Sequence, residues 1–279
     1  MSIAADAGTV SLDDPARRFT STTRLFGAAA MARLQQGQAV VVGIGGVGSW
    51  AAEALGRSGV GRLHLVDLDQ VAESNINRQV HALDATVGAA KVEVMAARLR
   101  QIAPQAHIET VEAFAEAGKI AAVMPASITD GRTVVVDAID DVAAKAALLA
   151  WCVERRVPVT TCGAAGGRAD PLALTAADLT EAHGDALLAA VRNRLRRDYG
   201  FPSGQAQRGR KPAGFGIVAI FSPESMAGSR PDDPGITGLI GGAPLACAGY
   251  GSVVTVTAAM GFAAASRALA RLSSGPDHD

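Results

Sequence analysis

The chain has 279 residues with 26 basic and 27 acidic side chains, a formal charge of −1 at neutral pH, so any nucleic-acid contact has to come from a local patch. Hydrophobic residues make up 49% and aromatics 4%, which fits a core of Ala, Val, Leu and Ile in one large α/β domain or two small ones. The three cysteines, Cys152, Cys162 and Cys247, form no C-x-x-C pair, which argues against a zinc site and a disulfide framework.

Residues 1–17 are small, polar and acidic and read as a disordered tail. No basic segment followed by an apolar one opens the sequence, so the cytoplasm is the expected compartment. Residues 18–38 read as a helical approach to the first strand, Ala39 to Val42. Gly43, Gly45 and Gly48 then occupy G-x-G-x-x-G positions, with Gly46 between them, where missing Cβ atoms let phosphate approach backbone N–H groups. The helix over 47–57 points its positive end at those phosphates. A second strand ends at Asp67, about twenty residues on, where a carboxylate can accept hydrogen bonds from ribose hydroxyls. The bland alternative is a glycine turn that serves only tight packing.

Residues 79–86 read as irregular. Val92, Met95, Ala96, Leu99 and Ile102 recur at helical spacing and stop at Pro104. Strands are expected over 106–111, 133–139 and 157–162, with a helix over 142–156 and Asp140 just past the end of one strand. Alternating strands and helices give a Rossmann-like, doubly wound, mainly parallel sheet, with Gly43–Gly48, Asp67 and Asp140 meeting on its carboxyl edge. Beyond the glycine turn at 163–168, a short strand is expected over 172–174, a helix over 181–199 and a strand over 215–221. Residues 201–214 read as a mobile basic loop. Positions 235–266 hold no charged residue. Gly, Ala, Thr and Ser dominate there, so a buried helix covering the sheet or a dimer interface is expected rather than a membrane span. The resulting division is a tail over 1–17, a Rossmann-like nucleotide-binding core over 18–175, a C-terminal extension over 176–272 packed on the same domain, and a tail over 273–279.

An NAD-dependent dehydrogenase fits the fingerprint and Asp67 equally well. Asn75, Asn77 and Arg78 argue against it, because a triphosphate needs a cation beside the glycine loop and a nicotinamide site does not. Lys91 can supply a second cation and Asp140 can hold Mg²⁺ through oxygen. Together these groups suit nucleotidyl transfer with pyrophosphate leaving. Each has a plainer reading: Arg78 as a solvated ion-pair partner, Lys91 as an exposed helix residue, Asp140 as a helix N-cap.

The runs GIGGVGSWAAEALGRSGVGRLHLVDLDQVAESNINRQVHA, VGAAKVEVMAARLRQIAP and VVDAIDD resemble the ubiquitin-activating-enzyme-like adenylating superfamily. RLFG at 24–27, GAAGGRADP and CAGYGSVVTVTAAMGF resemble its branch of tRNA threonylcarbamoyladenosine dehydratases, over roughly 17–272. The resemblance implies that Gly43, Gly45, Gly46 and Gly48 cradle the phosphates of ATP and that Asp67 holds its ribose. It gives Asn75, Arg78 and Lys91 to the phosphates and Asp140 to Mg²⁺, with room for a structural monovalent cation. Arg24 resembles an arginine given across a homodimer, at a shorter spacing from the glycine loop. The implied reaction adenylates the threonyl carboxylate of the modified adenosine in tRNA, and the carbamoyl group then closes a ring with loss of AMP. No cysteine lies between Cys162 and Cys247, so thioester transfer through the crossing loop is excluded. Cys247 itself reads as a small buried residue. Arg192, Arg194, Arg196, Arg197, Arg208, Arg210 and Lys211 are the expected tRNA surface, with a solvated helix end as the alternative. The other readings are C-terminal adenylation of a small sulfur-carrier protein, and a nucleotide-binding scaffold. A sulfur-relay partner such as a cysteine desulfurase fits the resemblance; DNA is not expected.

Overall fold

The computed structural model describes residues 15–126, 128, 131–203, 213–225 and 251–274. Three helices open it: α1 (Pro15–Arg18), α2 (Thr20–Phe26) and α3 (Ala28–Gln36). Strand β1 (Gln38–Val42), helix α4 (Gly48–Arg57) and strand β2 (Arg62–Val66) form the expected strand–helix–strand unit. Helix α5 (Lys91–Ile102), β3 (His107–Val111), α6 (Ile120–Val123), β4 (Thr133–Asp137), α7 (Val142–Glu154) and β5 (Val159–Cys162) follow. The chain continues through β6 (Thr175–Asp178), α8 (Ala186–Tyr199), β7 (Val218–Phe221) and α9 (Val254–Ser274).

The strand order is β3-β2-β1-β4-β5-β7-β6, parallel except for the β6–β7 pair. Chain direction along the sheet reverses between β1 and β4, which opens a crevice above their carboxyl ends. Alternation along the strands divides the core. Val40, Val42 and Val135 pack with residues of α7 and α8 on one face. Ala39, Val41, Val134 and Val136 pack with residues of α3, α4, α5 and α9 on the other. Every residue of β1 and β4 is buried, as central parallel strands require.

Two local expectations change. No strand forms at 172–174. Pro171 starts a short 3₁₀ turn over Pro171–Ala173, capped by the Asp170 carboxylate at Leu172 N–H (2.8 Å), and the strand begins at Thr175. The helix expected from 181 begins at Ala186, because Gly184 takes a left-handed conformation (φ 70°) and Asp185 caps the helix at Leu188 N–H, 2.9 Å. The apolar segment expected over 235–266 is helical from Val254 and runs to Ser274; positions 235–250 lie outside the described residues. That helix lies on α4 and on the sheet. Gly261 permits the approach, since a Cβ there would stand 2.5 Å from Val47 O. Among the described residues no helix is long and apolar enough to cross a membrane.

Candidate nucleotide site

The glycine loop leaves β1 at Gly43 with φ +88°, and α4 starts at Gly48. A Cβ on Gly48 would lie 1.7 Å from Gly43 O, and one on Gly43 would lie 2.8 Å from Ala138 O. Both positions are therefore closed to side chains by backbone. Gly45 differs: among the described residues only Gln79 Nε2, 4.0 Å away, would meet a Cβ there. The loop turns this position toward open space, as a phosphate cradle needs.

Asp67, just beyond β2, ties the neighbouring loops together. Its Oδ2 accepts Ile44 N–H at 2.6 Å and its Oδ1 accepts Asp69 N–H at 2.8 Å. Burial raises its pKa from the ordinary carboxylate value, against the pull of those N–H groups and of Lys91. Each oxygen keeps a lone pair for a ribose hydroxyl.

Arg78 lies against the loop, its Cγ and Cδ 3.4 Å from a Cβ at Gly46. Its carbonyl accepts the Trp50 indole N–H at 2.9 Å, which fixes the backbone to α4. Its guanidinium donates to Ser74 O (2.7 Å) and to Asn77 Oδ1 (2.9 Å), and no acid pairs with it among the described residues. Among the described residues the ion-pair reading of Arg78 therefore finds no acidic partner. Asn75 is buried and its side-chain oxygen accepts Ala72 N–H at 3.2 Å, so it shapes the turn that presents Arg78.

Lys91 is buried rather than exposed, and Asp69, which is exposed, holds its Nζ at 2.7 Å. Asp140 is exposed and caps no helix: Asp141 caps α7, accepting Ala144 N–H at 2.7 Å. Among the described residues no group of three or more His, Cys, Asp or Glu could hold a metal. Mg²⁺ needs only one or two carboxylates beside phosphates and water, so Asp140 fits that use. Arg24 is exposed on α2, a helix that buries none of its residues. The chain just before α2 is anchored where strands begin: Arg18 donates to the Gln101 and Ile102 carbonyls and Phe19 lies against Gly59.

The arginines of α8 are engaged differently from one another. Arg192 donates to the Leu179 and Ala182 carbonyls (3.3 and 2.6 Å) and faces inward. Arg196 donates to Pro202 O and lies over the Phe215 ring. Arg194 and Arg197 share Asp198. Arg208, Arg210, Lys211 and Cys247 lie outside the described residues. Burial raises the thiol pKa of Cys152, and pushes that of Cys162 up to about 12, so neither is a nucleophile at neutral pH.

Four residues went unnamed in the sequence: Asp69, His81 and the buried pair Asp137–Lys145. The signal for the last was a lone lysine in the apolar helix VAAKAALLAW. His81 is buried with no hydrogen-bond partner among the described residues, and burial, then the charges of Lys91 and Arg98, push its pKa down to about 4. A histidine neutral in the fold stabilises it above the unfolded pKa of 6.5, and that contribution drains away as pH falls toward 4. Urea unfolding of His81→Gln is thus expected to show less acid destabilisation than wild type, by about 2 kcal/mol between pH 7 and 5. Equal slopes in the two proteins would contradict the assignment.

The sequence matches the ThiF family over residues 16–278. It is 40% identical over 262 residues to the Escherichia coli protein named tRNA threonylcarbamoyladenosine dehydratase, covering 92% of this chain and 93% of that one. A Bacillus subtilis protein of the same name is 35% identical over 224 residues, covering 77% and 78%. The crystal structure of the Escherichia coli dehydratase in complex with ATP is similar at TM-score 0.78 and 39% identity, covering 92% of this chain and 94% of that one. Its complex with AMP gives TM-score 0.78 at 38% identity, covering 95% and 98%. A match over nearly the whole sequence, joined to a glycine loop at the reversal point of the sheet, fixes the classification: the chain belongs to the ThiF family.

Proposed function

We infer that the chain is an ATP-dependent tRNA threonylcarbamoyladenosine dehydratase. The observation that carries the inference is Arg78, an arginine with no acidic partner among the described residues, packed against a glycine loop whose Gly45 has room beside it. Its support is the whole-length similarity to a dehydratase solved with ATP and with AMP.

The chemistry follows from the placement. The loop amides and the N-terminus of α4 hold the phosphates, and Asp67 the ribose. The threonyl carboxylate attacks the α-phosphorus, forming an acyl–O–P bond while the bond to pyrophosphate breaks. Arg78 neutralises charge as it develops on the phosphate oxygens, and Lys91 joins it by exchanging Asp69 for phosphate. When bound, Mg²⁺ at Asp140 supplies further charge neutralisation at the leaving pyrophosphate. The carbamoyl group then attacks the acyl carbon and AMP departs with the oxygen that is formally lost as water. Orientation alone accelerates such a closure, with effective molarities on the order of 10⁵ M or more. No thiol is required, in keeping with the buried, protonated Cys152 and Cys162.

Pyrophosphate exchange into ATP tests this reading. It should depend on tRNA bearing threonylcarbamoyladenosine and fall to background with unmodified tRNA. Exchange driven instead by a small carrier protein would favour the sulfur-carrier alternative. Arg24 is read as acting on the site of a second copy, and a homodimer is the expected assembly.

For tRNA, Arg194, Arg196 and Arg197 are read as phosphate contacts and Arg192 as structural. Joint replacement of Arg194 and Arg197 by alanine should flatten the salt dependence of tRNA binding, by about one unit of log–log slope per lost contact. Arg192→Ala should instead lower thermal stability, because two carbonyls lose their donor. An unchanged salt slope in the double variant would remove the α8 end from the tRNA surface.

A further inference from the structure

We propose that the buried ion pair between Asp137 and Lys145 is a positioning device for adenylation, acting through the turn at 138–140. The proposal rests on the adenylation reading of this site and adds residues that do not touch substrate. Asp137 ends β4 and Lys145 lies on α7, both without any side-chain exposure, with Nζ 2.9 Å from Oδ2. The Thr161 hydroxyl donates to the same oxygen at 2.6 Å. The remaining bonds converge on a single residue. Asp137 Oδ1 accepts Ile139 N–H at 3.1 Å, and Lys145 Nζ donates to Ile139 O at 2.8 Å. Both backbone polar groups of Ile139 are therefore gripped by opposite members of the pair.

That grip sits at the centre of the site. On one side of Ile139, Ala138 N–H bonds Val42 O at 2.8 Å, and Ala138 O is the atom that a Cβ on Gly43 would meet at 2.8 Å. The Ala138 Cβ lies 3.2 Å from a Cβ at Gly48. On the other side stands Asp140. One short turn thus supports the glycine loop and presents the carboxylate assigned to the metal. A fully buried ion pair is a poor source of net stability, since apolar residues of similar volume often do as well. Its directional bonds to both backbone polar groups of one residue are what an apolar pair cannot supply. A shift of about 1 Å in catalytic geometry can cost on the order of 100-fold in rate, so a rigid turn has a use here that stability alone does not explain.

The test uses the full-length protein with Asp137→Asn and Lys145→Met combined, which removes both charges and leaves no unpaired ion. The double variant should fold with an unchanged far-ultraviolet spectrum, and hydrogen exchange over 138–141 should speed up relative to wild type. Its kcat for modified-tRNA-dependent pyrophosphate exchange should drop about 100-fold while KM for ATP stays within about threefold. Lys145→Arg, which keeps a charged donor, should recover most of the rate. Wild-type kcat in the double variant would overturn the proposal. So would a loss of rate matched by loss of folded protein, with exchange over 138–141 unchanged. If the double variant does not fold, Asp137→Asn combined with Lys145→Gln, which also leaves no unpaired ion, gives the same readouts. Absence of pyrophosphate exchange in wild type would defeat the adenylation reading itself. In that case faster hydrogen exchange over 138–141 would still establish the grip on the turn, and unchanged exchange would overturn it.

Discussion

Arg78→Met is expected to slow pyrophosphate exchange by about 10²–10³-fold, the usual consequence of losing one preorganised donor to developing charge. Methionine retains a long apolar stem against Gly46, and the Trp50 contact is to the backbone carbonyl, so the fold should survive. The charge is what disappears. Lysine at this position should recover part of the rate, because it restores a point charge without the planar fork. An Arg78→Met protein with exchange within about threefold of wild type would mean that the guanidinium does not meet the reacting phosphate.

Gly48→Ala should abolish ATP binding and lower stability by about 3 kcal/mol or more, toward the upper end for overpacking. The added Cβ would sit 1.7 Å from Gly43 O, and backbone on that side cannot rotate away as a side chain can. Gly45→Ala provides the contrast. Among the described residues nothing but Gln79 Nε2 at 4.0 Å meets a Cβ there, so thermal stability should hold while ATP affinity falls. Loss of stability in Gly45→Ala, or normal ATP binding by Gly48→Ala, would show that the loop is a packing turn and not a cradle.

The parts of the fold that depend on local pattern were legible in the sequence. Apolar runs such as 39–42 and 133–139 read as buried strands, and the glycines, Asp67 and Asp140 fell at or just past strand ends because each follows such a run, although β4 itself stops at Asp137. The misread segments are those where one residue overrides the pattern. Pro171 with Asp170 turned an apolar triplet into a 3₁₀ turn, and Gly184 with Asp185 delayed a helix that periodicity placed earlier. Pairings across the fold were not readable. Periodicity gives no distance between Lys91 and Asp69, 22 positions apart, or between Arg78 and Gly46. Asp141, not its neighbour Asp140, proved to be the cap, a difference of one position that only geometry resolves. The arginines near 192–197 looked equivalent by composition. Arg192, however, turns inward to two carbonyls, while Arg197 stays at the surface with Asp198.

Oxygen tracing tests the adenylation route most directly. Threonylcarbamoyladenosine tRNA labelled with ¹⁸O in the threonyl carboxylate is incubated with the protein, ATP and Mg²⁺, and the nucleotide products are weighed by mass spectrometry. Attack on the α-phosphorus followed by ring closure predicts one ¹⁸O in AMP for each cyclic nucleoside formed, with pyrophosphate unlabelled. Label appearing in inorganic phosphate with ADP as the nucleotide product, or cyclisation that leaves AMP unlabelled, would contradict it.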